Sequence, residues 1–347
     1  MRPLPDLRAS LAAKRRAGHP EATRVSSAEL VEVDAAGLPV VVRPRASSVR
    51  IEDWIPDNRA FLEDSLRRTG AVLFRGFAVD SLARFDDVVR VLCPNLMTYT
   101  EGATPRKALK DKLYTSTEFP PDYSIALHNE LSYVTTWPMR IFFSCSIAAE
   151  WRGETPIADV RKVYQRIPPR IRERFERDHW MLVRNYGDGF SLPWQKVFHT
   201  EDRAEVEAYC ARSRIELEWK TGDRLRTRQV RPASRIHPVT GETVWFNHVA
   251  FWHISSLEPR DLRDELVRQM AADELPYNTF YGDGSPIEAD VADALRQAYA
   301  AETHSFLWQV GDLIMIDNML VAHGRSPFRG ERRILTAMGD AYTPAAD

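Results

Sequence analysis

Two histidines and one glutamate stand where apolar, strand-like runs give way to polar residues. His128 ends the run 124–128 and Glu130 lies two positions further on, while His323 follows a second run, 319–322. Residues i and i+2 of an extended backbone face the same side, so His128 and Glu130 can converge on one point. Two imidazoles and one carboxylate with open coordination positions form the facial ligand set of non-haem Fe(II) sites. The pattern therefore indicates a metal centre, although a lone His-x-Glu also fits a strand-end histidine beside a solvated glutamate.

An arginine pair, Arg332 and Arg333, follows His323 after a short polar loop and begins the apolar run 334–338. If the two strands pair, an imidazole and a guanidinium can point into one cavity. A guanidinium is a planar fork that matches a carboxylate, so the pair could hold an anionic ligand beside a metal. Gly324 lies where a Cβ would crowd a bound group. The alternative, in which His323 merely ends a strand and Arg333 is a surface charge, stays open from this stretch alone.

Other groups of chemically active residues give weaker signals. His237, His248 and His253 are close in sequence, but their spacing is not helical and no carboxylates obviously converge on them, so we interpret them as wall or core residues. The chain has no Gly-rich phosphate loop, no Gly-x-Ser-x-Gly elbow and no cysteine with a base near it in sequence. Nucleophilic and phosphate chemistry of these kinds is therefore not indicated.

The composition is ordinary for a soluble globular protein. The 347 residues are 44% hydrophobic and 28% charged, with a net charge of −2, so a nucleic-acid partner is not implied. No apolar run reaches the length of a membrane span, and the polar N-terminus lacks the apolar segment of a secretory signal. Cys93, Cys145 and Cys210 are odd in number and far apart, which argues against a disulfide framework. These features predict a cytoplasmic protein with no membrane or nucleic-acid partner.

Periodicity and turn residues predict the elements that must position the candidate residues. Asp80 or Ser81 is expected to be the N-cap of a helix predicted at 82–92. Apolar patterning and breakers predict strands at 40–43, 71–74, 139–147, 157–160, 243–246 and 313–316, and helices at 57–68, 82–92, 163–179, 203–214, 259–273 and 289–300. No long β pattern is recognised over 185–305. We therefore predict a single domain spanning 1–347, with an N-terminal arm at 1–35 and an insertion at about 165–305 that covers the site.

Four sequence blocks together resemble the taurine dioxygenase (TauD/TfdA) family. His128-x-Glu130, Gly153-x-Thr155, His323 and Arg332-Arg333-Ile334 occur in the family's order. The resemblance extends from about residue 40 to residue 338, and it includes the blocks 114–118, 128–133, 241–247 and 317–325. It is closest to the SyrP-like, clavaminate-synthase-like branch, in which the carboxylate ligand is glutamate.

The resemblance implies a fold and a set of cofactors. The fold is α+β, with a double-stranded β-helix (jelly-roll) core, flanking helices and a large helical and loop insertion. His128, Glu130 and His323 would be the Fe(II) ligands, and Arg333 and Thr155 would bind the distal carboxylate of the co-substrate 2-oxoglutarate. O2 would be the second co-substrate. The family's Gly-Gly-x-Thr pattern begins with Arg152 here, which is a departure next to Thr155.

The implied reaction hydroxylates an unactivated C–H bond and releases succinate and CO2. Desaturation, cyclisation and a non-catalytic binding or regulatory role on the same fold stay open. The branch often acts in specialised metabolism, such as antibiotic biosynthesis, on small amino-acid-like substrates that are free or attached to a carrier protein. Ala337 lies four residues after Arg333, where taurine dioxygenase has its sulfonate-binding arginine, so taurine is not expected. The sequence does not predict an oligomeric state.

Six residues are candidates for the substrate pocket. They are polar or aromatic residues within the four blocks that carry the resemblance: Glu118, Asn129, Tyr133, Trp245, Asn247 and Arg325. Glu118 could meet an amino group of the substrate and Arg325 a carboxylate. For three of them a structural role is the alternative: Trp245 as a core residue, Glu118 as a loop cap and Arg325 as a partner of Asp317.

Overall fold

The computed structural model describes residues 31–35, 37–98, 108–116, 119–187 and 189–345. Its strands are β1 (Val31–Asp34), β2 (Val40–Pro44), β3 (Ala71–Phe74), β4 (Ala108–Lys110), β5 (Leu113–Thr115), β6 (Ile125–His128), β7 (Trp137–Ile147), β8 (Trp151–Arg152), β9 (Ile157–Asp159), β10 (Trp180–Tyr186), β11 (Glu216–Lys220), β12 (Arg224–Arg231), β13 (Ser234–Ile236), β14 (Thr243–Trp245), β15 (Tyr277–Tyr281), β16 (Thr303–His304), β17 (Leu313–Asp317), β18 (Val321–Arg325), β19 (Phe328–Arg329) and β20 (Arg333–Tyr342). Its helices are α1 (Ile51–Trp54), α2 (Arg59–Thr69), α3 (Leu82–Leu92), α4 (Val160–Arg166), α5 (Pro169–Asp178), α6 (Trp194–Phe198), α7 (Arg203–Arg212), α8 (Val249–Trp252), α9 (Arg260–Gln269) and α10 (Ala289–Ala301), with 3-10 turns at Pro56–Asn58 and Ile254–Ser256.

Two sheets pack face to face and enclose the main hydrophobic core. The larger sheet has the strand order β1-β2-β3-β17-β7-β20-β5-β4, and the smaller has the order β16-β9-β18-β6. Ile141, Ile314 and Ile334 of the larger sheet share one buried cluster with Ile157 and Ala322 of the smaller sheet. This arrangement is the jelly-roll core of the predicted α+β fold, and the prediction is confirmed.

The other face of the larger sheet is covered by helices. Leu62 of α2 and Phe85 of α3 pack in a second cluster with Phe142, Leu313 and Leu335 of the sheet. Helix α3 has the predicted bounds, and the Ser81 Oγ accepts a hydrogen bond from the backbone N–H at the third following position, as an N-cap does. Strand β3 also has the predicted bounds. The helical layer thus buries the face of the larger sheet that points away from the main core.

The region 185–305 contains a sheet that the sequence analysis missed. Strands β11, β12, β10 and β15 form a four-stranded antiparallel sheet. Strand β12 has the sequence RLRTRQVR, in which charged side chains replace the apolar residues of a simple alternating strand. Arg226 is buried there because it pairs with Asp273 at 2.8 Å and lies 3.7 Å from Glu218. Ion pairing across the sheet, rather than apolar burial alone, therefore stabilises these strands.

Two predicted segments are organised differently in the structure. The helix expected over 163–179 is two helices, α4 and α5, because Pro168 and Pro169 cannot continue a helix and instead begin a new one. Part of the expected arm at 1–35 belongs to the larger sheet, since β1 pairs antiparallel with β2. The rest of that arm lies outside the described residues. Among the described helices, none has the length and apolar character needed to cross a membrane.

Candidate metal centre and its two cavities

His128, Glu130 and His323 converge on one point, as their spacing predicts. One potential ligand atom from each lies within 4.8 Å of the others. His323 and His128 are register partners across the antiparallel pair of β18 and β6, and their ring centroids are 4.6 Å apart. The Nε2 of His323 lies 3.8 Å from the Oε2 of Glu130. Glu130 and His323 are buried, so the cluster lies inside the protein between the two sheets.

The hydrogen bond of His128 fixes which of its ring nitrogens can bind a metal. Its Nδ1 lies 2.8 Å from the carbonyl oxygen of Ala126. A carbonyl oxygen can only accept, so Nδ1 carries the proton and Nε2 keeps its lone pair. Such a bond to the second nitrogen is the usual way in which a protein orients a metal-binding imidazole.

Asn318 holds the backbone of Glu130 from both sides. Its Oδ1 accepts from the Glu130 N–H at 2.8 Å, and its Nδ2 donates to the carbonyls of Glu130 and Pro138, both at 2.9 Å. The Asn318 side chain is fully buried. Its carbonyl also accepts from Asn129 at 2.7 Å. Asn318, which directly follows β17, thus positions the acidic ligand Glu130. The sequence analysis did not predict this role.

The donor set fits a ferrous ion. Imidazole nitrogens and a carboxylate oxygen are the ligands of the two-histidine, one-carboxylate site, and the candidate donor atoms of these three residues lie within 4.8 Å of one another. No cysteine takes part, since Cys93, Cys145 and Cys210 are buried elsewhere. The alternative cluster of His237, His248 and His253 is not brought together as a ligand group in the described part of the chain.

A small cavity of about 30 Å³ adjoins the candidate ligands and contains a guanidinium and a hydroxyl. Arg332 and Thr155 line it beside His128 and His323. Burial lowers the pKa of Arg332 to about 10, and repulsion from Arg325 adds to this effect. Arg332 is still charged at neutral pH, so a carboxylate in the cavity would gain a charge-assisted bond. The Thr155 Oγ1 accepts from the Trp308 indole N–H at 3.1 Å, which leaves its own O–H able to donate.

The structure places Arg333 outside this cavity, contrary to the expectation that it binds 2-oxoglutarate. Its side chain is 55% exposed and pairs with Glu331 at 2.9 Å. Successive strand residues point to opposite faces: Ile334 packs in the core between the sheets, whereas Leu335 packs in the helical layer. Arg332 shares the inward direction of Ile334, and both line the small cavity. The candidate carboxylate anchor is therefore corrected from Arg333 to Arg332.

Two glycines allow close packing around the small cavity. Gly153 has φ +77°, and a Cβ there would lie 3.1 Å from the Cδ of Arg332. Its carbonyl accepts from the Arg332 Nε at 2.9 Å, so the two residues fit against each other. At Gly324 a Cβ would come within 2.6 Å of the Ile125 carbonyl oxygen. This second glycine thus makes room for strand β6, and not for a bound group as expected.

A larger cavity of about 370 Å³ also adjoins the candidate ligands. His128, Glu130 and Tyr133 line its inner end. Segments of the 165–305 region form much of the remaining wall, through β10, α8 and the start of β15. Such a concave, mainly apolar space with a few polar groups is typical of a small-molecule site. The region predicted as a cover thus contributes directly to the cavity.

The candidate substrate residues divide between cavity and core. Tyr133 lines the larger cavity, with its ring 5.0 Å from that of His248. Asn129 lines neither cavity and is bonded to Asn318. Trp245 packs on Phe175 in the core, as its alternative stated. Asn247 donates to the Ala233 carbonyl at 2.6 Å and accepts from the Val249 N–H at 2.9 Å, so it is a structural cap. Glu118 lies outside the described residues.

Arg325 lies at the small cavity, away from the larger one. It donates to the carbonyls of Phe119, Pro120 and Tyr123 at 2.8, 2.7 and 2.7 Å. Burial lowers its pKa to about 10. It does not pair with Asp317, which instead accepts from Arg140 at 2.6 Å. Its guanidinium thus fixes the segment 119–123, and the expected contact between Arg325 and a substrate carboxylate stays a prediction.

Two residues of the larger cavity were missed as site residues. His248 was assigned to the wall or core, yet it is wholly buried beside the candidate ligands, with its ring 5.5 Å from that of His128. Its Nδ1 lies 2.6 Å from the Ser132 Oγ. Burial holds the pKa of His248 well below its ordinary value, and His128 and Arg184 lower it further, so this ring is neutral at pH 7. Arg184, the second residue, belongs to β10, and no sequence signal distinguishes it from the other arginines of the region.

The family assignment follows from a match along most of the chain. The profile of the taurine catabolism dioxygenase TauD, TfdA family matches residues 36–338. The chain belongs to the TauD/TfdA family. It is a 2-oxoglutarate-dependent non-haem iron dioxygenase, with Fe(II), 2-oxoglutarate and O2 as its cofactor and co-substrates.

Curated relatives and solved structures agree with membership of the TauD/TfdA family. The chain is 39% identical over 286 residues to the dapdiamide synthesis protein DdaC of Enterobacter agglomerans, a match that covers 82% of this chain and 87% of DdaC. It is 30% identical over 319 residues to a clavaminate synthase-like protein of Arabidopsis thaliana, covering 87% and 93% of the two chains. PvcB of Pseudomonas aeruginosa has a similar fold, with a TM-score of 0.53 and 15% identity over 93% of this chain and 95% of that one. A putative 2,4-D dioxygenase from Burkholderia xenovorans superposes with a TM-score of 0.51 and 17% identity, covering 89% and 96%.

Proposed function

We propose that this TauD/TfdA dioxygenase hydroxylates an unactivated C–H bond of a small amino-acid-like substrate, free or attached to a carrier protein, and releases succinate and CO2. The observation that carries the proposal is the convergence of His128, Glu130 and His323 between two cavities of different size. The smaller contains a guanidinium suited to the co-substrate, and the larger has room for a second organic molecule.

In this proposal His128, Glu130 and His323 hold the metal. His128 is kept in place by the hydrogen bond that its Nδ1 donates to the Ala126 carbonyl, and Glu130 by the one that its backbone N–H donates to the Asn318 Oδ1. Bound Fe(II), with 2-oxoglutarate and O2, would supply the oxidising power that removes hydrogen from a C–H bond. A glutamate at position 130 would supply the carboxylate ligand that halogenating relatives replace with a small residue, and this favours hydroxylation over chlorination.

Arg332 and Thr155 would bind the distal carboxylate of 2-oxoglutarate. The guanidinium supplies charge and N–H donors, and the hydroxyl supplies one further donor. Gly153 fixes the guanidinium through its carbonyl at 2.9 Å. The carboxylate would thus be held at one end of the small cavity while the other end of the co-substrate reaches the metal.

The larger cavity would orient the C–H bond and exclude water from it. Phe251 packs against the His128 ring at a centroid distance of 4.8 Å, and Trp252 and Tyr277 continue this aromatic wall outward. An apolar wall next to a reactive centre limits side reactions with water. The dapdiamide synthesis protein DdaC, at 39% identity, supports a role in the synthesis of a specialised small molecule.

The test is iron-dependent succinate formation in the presence of candidate substrates. Purified protein is incubated with 2-oxoglutarate and O2, with and without Fe(II), across a panel of free and thioester-linked amino acids. We expect one class of substrate to stimulate succinate release and to gain the mass of one oxygen atom. Loss of two hydrogens would instead indicate desaturation or ring closure, and no iron-dependent succinate with any compound would contradict the proposal.

A further inference from the structure

Arg184 is the one arginine or lysine among the described residues that line the larger cavity. It belongs to strand β10, in the region that closes over the jelly roll. The cavity's described acidic residues are the candidate ligand Glu130 and Glu258, and the side chain of Glu258 is half exposed and lies 3.7 Å from Arg260. A single guanidinium in a mainly apolar wall is the kind of isolated polar group that fixes the orientation of a ligand.

Aromatic rings hold the Arg184 guanidinium and leave its N–H groups for a ligand. The Cζ of Arg184 is 4.9 Å from the Tyr186 ring centroid and 5.2 Å from that of Trp252. Contacts of this kind use the face of the cation and do not engage its N–H donors in the way a carboxylate does. Within the described part of the chain, no carboxylate forms an ion pair with Arg184. A fork of donors that lacks an anionic acceptor fits an anion that arrives with the ligand.

A series of ring contacts connects Arg184 to the candidate metal ligands. Trp252, which contacts the guanidinium, lies 6.5 Å from the His248 ring, and His248 lies 5.5 Å from the His128 ring. Phe251 lies 4.8 Å from His128 and belongs to the same wall. A ligand bound to Arg184 by its anionic end would therefore lay its remaining body along this wall toward the metal.

We propose that Arg184 binds a carboxylate of the primary substrate and so directs the substrate's apolar body toward His128 and Glu130. The substrate class is a small molecule with one carboxylate available to this guanidinium. One planar fork matches a carboxylate in bidentate fashion, whereas a doubly charged phosphate would find a single cation and two carboxylates in the described lining. This inference rests on the proposed function, because it takes the larger cavity as the site of the primary substrate.

The test compares acids with their uncharged amides. The probes are N-acetyl-L-leucine, N-acetyl-L-phenylalanine and hexanoate, each against its primary amide, and binding to the anaerobic protein with Fe(II) and 2-oxoglutarate is measured by calorimetry. We expect at least one acid to bind wild type about tenfold or more tightly than its amide. Arg184→Met should abolish that preference while leaving the affinity for the amide unchanged, which also shows that the variant is folded. Arg184→Gln provides the same test if the methionine variant does not fold.

The matched control is Arg203→Met. Arg203 also packs its guanidinium over a tryptophan, at 4.4 Å from the Trp219 ring, but it does not line the cavity. We expect this variant to keep the wild-type preference for the acid. If every acid binds no better than its amide, or if Arg184→Met keeps the preference, the assignment of Arg184 is overturned. Iron-dependent succinate release by the same preparations tests the proposed function separately, so the two failures are distinguishable.

Discussion

His128 and His323 are register partners on neighbouring antiparallel strands, with ring centroids 4.6 Å apart. Directly opposed residues are the closest side-chain pair that two strands can offer. The pairing of β6 with β18 therefore brings together two of the three candidate metal ligands. The third, Glu130, lies two residues beyond His128, and its backbone N–H is held by a hydrogen bond to Asn318. We therefore expect different effects from changes to the metal ligands, to the arginine that binds the co-substrate and to the residues that position them.

Removal of either imidazole should abolish iron chemistry. In His128→Ala and His323→Ala, two protein ligands remain, and we expect iron-dependent succinate formation to fall to the level measured without iron. Glu130→Gln should weaken iron binding, because a neutral amide replaces a charged ligand. His304→Ala is the control, since this histidine is exposed on β16. Iron content after dialysis and succinate yield are the measurements, and normal turnover in either alanine variant would rule out the ligand assignment.

Of the two adjacent arginines, only Arg332 should affect 2-oxoglutarate binding. Arg332→Met removes a charge-assisted bond of roughly 1.5–3 kcal/mol, so the KM for 2-oxoglutarate should rise about ten- to a hundredfold. Arg333→Met should leave this KM unchanged, because the Arg333 side chain is exposed and paired with Glu331. The measurement is succinate formation as a function of 2-oxoglutarate concentration. The reverse result would restore the assignment made from sequence.

Gly153→Ala should lower both the stability of the protein and its affinity for 2-oxoglutarate. An alanine there would adopt φ near +77° and place its Cβ 3.1 Å from Arg332, so stability should fall by about 1–2 kcal/mol and the KM for 2-oxoglutarate should rise. Gly222→Ala is a matched control, because Gly222 has φ +73° and no atom lies within 4 Å of the point that an added Cβ would occupy. It should lose similar stability in urea unfolding without any change in that KM. Equal KM values in both variants would show that Gly153 does not position Arg332.

Loss of the Asn318 side chain should weaken iron binding without removing a ligand. Asn318→Ala leaves the Glu130 N–H and two carbonyls without their present partner, which should cost about 1–3 kcal/mol for each group left unsatisfied. Loss of such an outer contact typically lowers metal affinity about ten- to a hundredfold. Asn278→Ala is the control: its amide is also buried and bonded to the backbone, but it lies on β15. It should lower stability and leave iron affinity unchanged.

His253 should make the protein less stable in mild acid. Burial, and then the charge of Arg296, lowers the pKa of this histidine below its ordinary 6.5. The unfolded chain therefore binds a proton that the folded chain resists, so the free energy of unfolding falls as pH drops below about 6.5, by at most about 1.4 kcal/mol per pH unit. His253→Gln should flatten this part of the curve in urea unfolding between pH 7.5 and 5.5. Parallel curves for the two proteins would contradict the prediction.

Strong local patterns were sufficient to predict part of the fold. Strand β3 and helix α3 match their predicted bounds because an apolar run and an amphipathic repeat end there at Gly or capping residues. The convergence of His128, Glu130 and His323 was predicted from strand ends and family motifs, and the structure brings the three together. In each case neighbouring residues in the chain, or a short motif, carry the information.

Other features depend on contacts between distant segments. Nothing in Arg332-Arg333 shows which arginine points inward, since that depends on the pairing register of β20 with β7. The four-stranded sheet around β12 was missed because ion pairs replace apolar alternation, such as those of Arg226 with Glu218 on β11 and with Asp273 in the turn before β15. Asn129 and Trp245 lie near the motifs in sequence, yet their side chains bond or pack away from both cavities. Proximity in sequence was a poor guide to which side chains line a cavity.

The two cavities are separated by one strand, since Ile125 and His128 of β6 line both of them. No described residue between 156 and 322 lines the smaller one, whereas β10 and α8 line only the larger. Sequence variation in the 165–305 region can therefore change substrate selectivity, while the candidate metal ligands and the smaller cavity stay the same. Changes in β10 and α8 can thus alter which substrate fits without touching the smaller cavity. A change in β6, by contrast, would alter the walls of both cavities at once.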